Sequence, residues 1–252
     1  FVSKDPDHNK YWFPKSGGSI FLYLNTTQPP FDNIDFRKAI SMAIDRELIT
    51  KVAMYDYTSP AHQTAISGSF LNYRLSSEKI NESWVGFFPN QSIQKIKSLG
   101  YKKNSSGYWA DSTGKEIQIS IGIVSGWADW IRAGQIISKN LEDIGIRARV
   151  KTQDFGAWFN DLQTGEFSGA IAWAESGANP FPMYEGLMAS KNIKPIGEHA
   201  GTNWHRFGLS EVDSLVSIFE VTSDDSMKNK LIYRMQELFI KSAPAIPLFA
   251  DP

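Results

Sequence analysis

Glu116 to Lys151 constrains the fold more than any other part of this chain. Ile117, Ile119, Ile121 and Ile123 alternate with polar or small residues, the period of a strand with one buried face. Trp127, Trp130, Ile131, Gly134, Ile137, Leu141 and Ile144 then step by threes and fours, the spacing of a helix stripe. Gly145 supplies the stop. Ile146, Ala148 and Val150 alternate with Arg147, Arg149 and Lys151 and predict a half-buried strand. Strand, helix and strand in this length make a βαβ crossover, for which the right-handed form is the rule. The fold class that follows is α/β, a mixed sheet with flanking helices.

The remaining segments fit around that unit. Ser19 to Leu24 reads as a buried strand, and Pro29 and Pro30 force a turn after it by removing two backbone donors. Asp32, Asn33 and Asp35 are acceptors for the open N–H groups of a first helical turn. Phe36, Ala39, Ile40, Ala43 and Ile44 then form one apolar stripe. Asp45 can cap a second helix carrying Leu48, Ile49 and Val52. A Ser/Gly/Tyr-rich loop runs from Tyr55 to Ser77, a short amphipathic helix from Ser92 to Leu99, and a hairpin from Lys102 to Lys115. Further on come a helix at Phe155–Gln163, a strand at Gly169–Trp173 and a helix from Pro180 or Pro182 through Met188. Helices at Val212–Phe219 and Ser226–Ile240 and a proline-flanked strand at Pro244–Phe249 complete the chain. No internal repeat is visible.

Composition excludes several function classes. With 252 residues, 42% hydrophobic and 21% charged, the chain can bury one large core or two modest ones. A net charge of −1 gives no electrostatic argument for nucleic acid or an anionic membrane. No apolar run approaches the roughly 20 residues of a bilayer-crossing helix. Phe1 to Asp5 lacks the basic and apolar regions of a secretory signal. Cysteine is absent, which removes thiol chemistry and disulfides. Sequons at Asn25, Asn81, Asn90 and Asn104 are a faint pointer to a surface location, and Asn25 itself reads as structural.

Two stretches carry a family resemblance. From Asn25 through Pro30-Phe31-Asp32-Asn33, Arg37, Ala39 and Ala43-Ile44-Asp45-Arg46-Glu47, the chain resembles the signature of the extracytoplasmic solute-binding proteins of ABC importers, family 5, the oligopeptide/dipeptide-binding class. The tail, with Asn203, Asp213, Leu215 and Pro244-Ala245-Ile246-Pro247-Leu248, is similar to the same family's closing run. The resemblance covers roughly residues 18–250. Complete members of that family form two lobes around a buried ligand, and the resemblance implies that this chain supplies most of the second lobe of a periplasmic-binding-protein type II-like fold. Residues 1–17 would be a lead-in segment and 18–250 one ligand-binding lobe, its N-terminal partner lobe lying outside this sequence. The implied partners are a small-molecule ligand and a membrane permease, with no nucleic acid. The implied location is periplasmic or cell-surface, and the implied state a monomer.

The residues supply no recognisable catalytic constellation. His8, His62, His199 and His205 have no HxxxH or HExxH spacing, so no metal site is expected. Glu198, His199 and His205 can share one loop, where solvated histidines are the ordinary reading. Gly-x-Ser-x-Gly and phosphate-cradling glycine runs are missing. Glu142-Asp143 and Asp224-Asp225 sit where solvation and capping suit them better than acid/base work. The expectation is a binding protein without a cofactor and not an enzyme.

Binding has more to stand on. In open α/β sheets ligands sit beyond the carboxyl ends of the strands, and two predicted loops lie there. The first offers Ser125, Trp127 and, on the helix behind it, Trp130. The second offers Trp173, Glu175, Ser176 and Asn179, and Trp204 falls in a third loop. In the family the first two stretches line the cleft. Core packing competes with ligand contact for every one of these indoles, and for Trp158, and is strongest for Trp130 on its helix stripe. Peptide binders of the family often carry aspartates around an Asp-Pro in the second loop, whereas here one acid, Glu175, precedes Asn179-Pro180. Flat indoles stacked on sugar rings, with Glu and Asn on the hydroxyls, make an oligosaccharide the expected ligand and a peptide the alternative. A sensor or adaptor lobe is the expectation from outside transport.

Overall fold

Five strands form one mixed sheet in the order β5-β4-β6-β1-β7. They are β1 (Ser19–Leu24), β4 (Gln118–Val124), β5 (Arg147–Gln153), β6 (Gly169–Ala172) and β7 (Ile246–Ala250). The computed structural model describes residues 16–251 except 77, 79, 81 and 82. The expected lead-in segment up to residue 15, with His8, and the sequon at Asn81 therefore lie outside the described residues. A separate two-stranded hairpin joins β2 (Lys102–Lys103) to β3 (Trp109–Ala110). The helices are α1 (Ile34–Met42), α2 (Arg46–Leu48), α3 (Pro89–Ser98), α4 (Ala128–Ile144), α5 (Phe155–Thr164), α6 (Phe181–Met188), α7 (Ser210–Val221) and α8 (Asp225–Ser242).

The predicted crossover is present. β4 pairs parallel with β5 in a continuous register from Gln118↔Arg147 to Val124↔Gln153, and α4 connects them. β4 also runs parallel to β6, while β1 is antiparallel to both β6 and β7. It follows that β4, β5, β6 and β7 all end on one edge of the sheet, the edge at which β1 begins.

Helices cover both faces, and two neighbouring residues of β4 show it. A Cβ on Gly134 of α4 would stand 2.3 Å from Ile123 Cδ1, so α4 lies almost against the backbone on the Ile123 face. Gly122, pointing the other way, faces Trp158 of α5. The core is continuous through both layers, with Phe21, Leu22, Ile121, Ile171 and Phe249 fully buried in the sheet.

Local signals set the helix ends. Asn33 is the acceptor that caps α1, taking the Phe36 N–H at 3.1 Å; Asp154 caps α5 through Ala157 and Asp224 caps α8 through Ser226. Gly145 closes α4 at φ +92, and a Cβ there would meet the Gly107 carbonyl at 2.8 Å. The second helix after Asp45 departs from expectation. One α turn passes into a π-helical turn at Ile49–Ala53, and Leu48 and Val52 are exposed while Ile49 is buried. Widening the turn rotates those two side chains away from the core stripe that periodicity assigns them. Asn25 is fully buried, donating to Gly165 O at 2.8 Å and accepting from Thr27, which removes it as a glycosylation site.

Candidate functional site

The carboxyl edge of the sheet gathers the loops after β4, β5 and β6, and each delivers aromatic rings. Loop 125–127 leads into α4 with Trp127 and Trp130, whose rings meet edge to face at 4.9 Å. The start of α5 brings Phe155, Trp158 and Phe159. Trp173 follows β6, lying 5.5 Å from Trp158 and stacked on Phe159 at 6.2 Å. Trp204 closes the group edge-on to Trp173 at 6.0 Å and to Tyr23 at 5.7 Å. All five tryptophans singled out from sequence thus belong to one cluster.

Their exposures differ, and the difference separates floor from surface. Trp158, Trp204 and Trp130 are buried at 1%, 3% and 9% exposure. Core packing claims these three, and the expectation of ligand contact at Trp130 and Trp204 gives way to a supporting role beneath the surface rings. Trp127 and Trp173 are half-buried, and Phe155, which sequence reading passed over, is 48% exposed. The rings of the cluster that keep solvent exposure are therefore those of Trp127, Trp173, Phe159 and Phe155. Phe155 was findable: it begins the helix that follows a strand ending on this edge.

The predicted polar residues surround this platform unevenly. Ser125, Glu175 and Ser176 are exposed. Asn179 is half-buried, and its Oδ1 already accepts the Phe181 N–H at 2.9 Å, so its first duty is at the start of α6. Tyr23, buried in β1, donates its hydroxyl to Trp173 O at 2.8 Å and so ties the second loop to the sheet. Burial, and secondarily the Glu175 carboxylate, hold that hydroxyl well above its ordinary pKa. It stays a donor at any physiological pH.

The third loop is built differently from its prediction. His205 is fully buried rather than solvated, and His199 is exposed, so the two do not meet. The His205 imidazole packs 5.1 Å from Tyr23, and its Nε2 is 3.0 Å from Leu187 O, an acceptor, which fixes that nitrogen as the proton carrier. Burial, then the charges of Arg37 and Arg206, lower its pKa to about 3. Asn203 and Arg206 hold φ of +52 and +63, which keeps the loop bent behind Trp204.

Beside the platform opens a cavity of about 1000 Å³. Its walls come from the Tyr55–Arg74 part of the loop, from Asp129 in the first turn of α4, and from Ala250 and Asp251 after β7. Tyr55 and Tyr57 are 62% and 77% exposed at its rim, and the Arg132 guanidinium lies over the Tyr55 ring at 5.2 Å. His62 is half-buried there, and burial with the nearby Arg74 charge lowers its pKa to about 4. None of these residues was a sequence candidate. The loop carries no period to read, and only the tertiary fold brings it against α4 and β7.

Residues 2–195 match the family described as bacterial extracellular solute-binding proteins, family 5 middle. The glutathione-binding protein GsiB of Salmonella paratyphi A is 25% identical over 238 residues, covering 92% of this chain and 42% of that protein. The chain thus spans less than half the length of the curated relatives it matches. Among solved structures, a mannohexaose-bound periplasmic oligopeptide-binding protein of Thermotoga maritima superposes with a TM-score of 0.85 at 23% identity, over 96% of this chain and 45% of that one. The oligopeptide-binding protein AppA of Bacillus subtilis, in complex with a nonapeptide, gives 0.81 at 18% identity, over 94% and 45%.

Proposed function

The chain belongs to the bacterial extracellular solute-binding proteins of family 5, and from that premise we propose that it forms one wall of a ligand cleft in the substrate-binding component of an ABC importer. In this reading residues 18–250 are a single lobe and residues 1–17 lead into it. A second lobe supplies the facing wall, and the closed, monomeric protein hands its ligand to a membrane permease outside the cytoplasm. Capture is non-covalent, and no bond of the ligand is broken.

The observation that carries the reading is the aromatic platform on the carboxyl edge of the sheet. Open α/β folds place ligands on that edge. The exposed faces of Trp127, Trp173 and Phe155, backed by three buried indoles, are rigid and cost little entropy to use. Ser125, Glu175 and Ser176 add hydroxyls and a carboxylate beside them. Flat apolar faces fringed by such groups suit an oligosaccharide, which we take as the ligand. The Thermotoga maritima protein with mannohexaose offers a parallel on the same fold.

A peptide is the second reading, favoured by one observation. The adjoining cavity carries charge of both signs, with Asp129 and Asp251 on its walls and Arg74 at another. GsiB and AppA, named for glutathione and for oligopeptides, are parallels for that choice. Titration calorimetry of the full-length protein decides between the two. Cello-, manno- and xylo-oligosaccharides should bind with micromolar or better affinity and Trp127→Ala should weaken them at least tenfold. Tight binding of a peptide pool with no sugar response would replace the first reading by the second.

A further inference from the structure

The loop that carries Trp173 is held to the rest of the molecule at few points. β6 ends at Ala172 and α6 begins at Phe181. Among the described residues, no backbone–backbone hydrogen bond reaches Ala174 to Asn179. The fixings lie at the two ends, where the Tyr23 hydroxyl donates to Trp173 O at 2.8 Å and Asn179 Oδ1 accepts the Phe181 N–H at 2.9 Å. Between them the chain rests on bare backbone: a Cβ on Gly186 of α6 would stand 3.2 Å from Glu175 Cγ, and one on Gly177 would stand 2.9 Å from Pro182 Cγ.

Tyr23 is a fixed point for such a loop. It is buried in β1, in register with Ala170, so its hydroxyl meets the chain three residues further on, just beyond the end of β6. Its ring stands edge-on to Trp204 at 5.7 Å and 5.1 Å from the His205 imidazole, whose Nε2 is bound to Leu187 O. Packing here asks only for an aromatic ring, as Phe21 shows one pleat away on the same face of β1. A buried hydroxyl costs free energy unless it is bonded, and Trp173 O is its acceptor.

We propose that Tyr23 is a positioning residue of the ligand site: its hydroxyl fixes the peptide after Trp173, and thereby the pitch of the Trp173 indole, without touching the ligand. The proposal rests on the reading of the chain as one wall of a solute cleft. Without the donor, Trp173 O is free to turn toward water, and no neighbouring backbone bond holds the peptide plane in place. The indole turns with it. Trp173 lies 5.5 Å from Trp158, 6.2 Å from Phe159 and 6.4 Å from Trp127, so its tilt alters the surface that the whole platform presents. A site whose supporting contacts are loose loses affinity with every ligand-facing residue still in place.

Tyr23→Phe in the full-length protein keeps the ring and removes the donor. Calorimetry with cello-, manno- and xylo-hexaose and with a peptide pool reads affinity, and circular dichroism of the unliganded protein reads exciton coupling among the indoles. The probe that binds should weaken by about tenfold, the scale of one lost and well-placed hydrogen bond. The couplet that Trp173 makes with its neighbouring indoles, assigned by its loss in Trp173→Phe, should fall in parallel. Tyr23→4-aminophenylalanine returns an N–H donor to the same place and should restore both. An unchanged couplet or an unchanged affinity in Tyr23→Phe overturns the positioning role and leaves the solute-binding reading standing. A loss that the amino variant does not restore, or a Tyr23→Phe chain that fails to fold, assigns the hydroxyl to general stability and equally overturns it. If the wild type binds none of the probes, the solute-binding reading falls and the proposal falls with it.

Discussion

Arg46 is a cation held by carbonyls. It is 3% exposed, and its guanidinium donates to Pro247 O at 2.7 Å, to Val85 O at 2.7 Å, to Ser41 O at 3.0 Å and to Ser41 Oγ at 2.6 Å. Burial lowers its pKa to about 9, so the charge persists at neutral pH. Arg37 does the same for the end of α8, donating to Ser242 O and Ala243 O, both at 2.7 Å. In sequence both arginines belong to a signature that names a family, and their work as carbonyl clamps is visible only when the distant strand and helix ends arrive. Arg46→Met removes the donors and strands the acceptors. It should lower the unfolding free energy by about 3–5 kcal/mol in urea titrations, as for the loss of one partner from a buried charged network. A loss under ~1 kcal/mol would show that water reaches those carbonyls. His205 gives a second residue-scale prediction. The unfolded chain takes a proton on this imidazole below about 6.5, whereas the folded chain refuses it until about 3. Stability is thus fully present above that upper value and falls as the pH drops through the window. The loss should reach roughly 3 kcal/mol by pH 4, and His205→Gln should flatten the acid limb of a stability–pH curve measured by denaturant unfolding.

Elements were legible where one period governs a long stretch. The strand, helix and strand from 116 to 151 formed within a few residues of their expected bounds, because the isoleucines and the stripe through Ile144 each need a single buried face. Legibility failed at the π-helical turn, where geometry departs from any standard period, and in the Tyr55–Arg74 loop, where none exists. The five tryptophans could be nominated because they sit at strand exits and helix starts, yet which of them would be floor and which surface depends on contacts across elements. Gly134 is the element-scale position to test. Its missing Cβ lets α4 settle on Ile123, and α4 carries Trp127 and Asp129 toward the ligand edge at its other end. Gly134→Ala should cost about 1–3 kcal/mol by overpacking, read as a lower melting temperature. It should also weaken ligand binding without any change at a contacting residue. Unchanged affinity in a destabilised variant would mean that the first turn of α4 is positioned by its own loop.

At the scale of the molecule, the site is an edge rather than an enclosure. The platform rings and the cavity face outward from one side of a single sheet, and the chain spans 42% of the length of GsiB. Ligand sites of this size normally bury about 70–90% of their ligand's surface, and one wall can cover only part of that. The aromatic faces of Trp127, Trp173 and Phe155 would still stack, but water would retain the opposite face of each ring they bind, and the hydroxyl contacts would stay in a high dielectric. Each tenfold in affinity corresponds to about 1.4 kcal/mol, so losing the facing contacts should be costly. The chain of 252 residues by itself should therefore bind the full-length protein's ligand at least a hundredfold more weakly, measured side by side by calorimetry. Its tryptophan emission should shift less on adding ligand, since Trp127 and Trp173 remain wet on their outer faces. Affinity equal to that of the full-length protein would mean that this lobe holds its ligand alone.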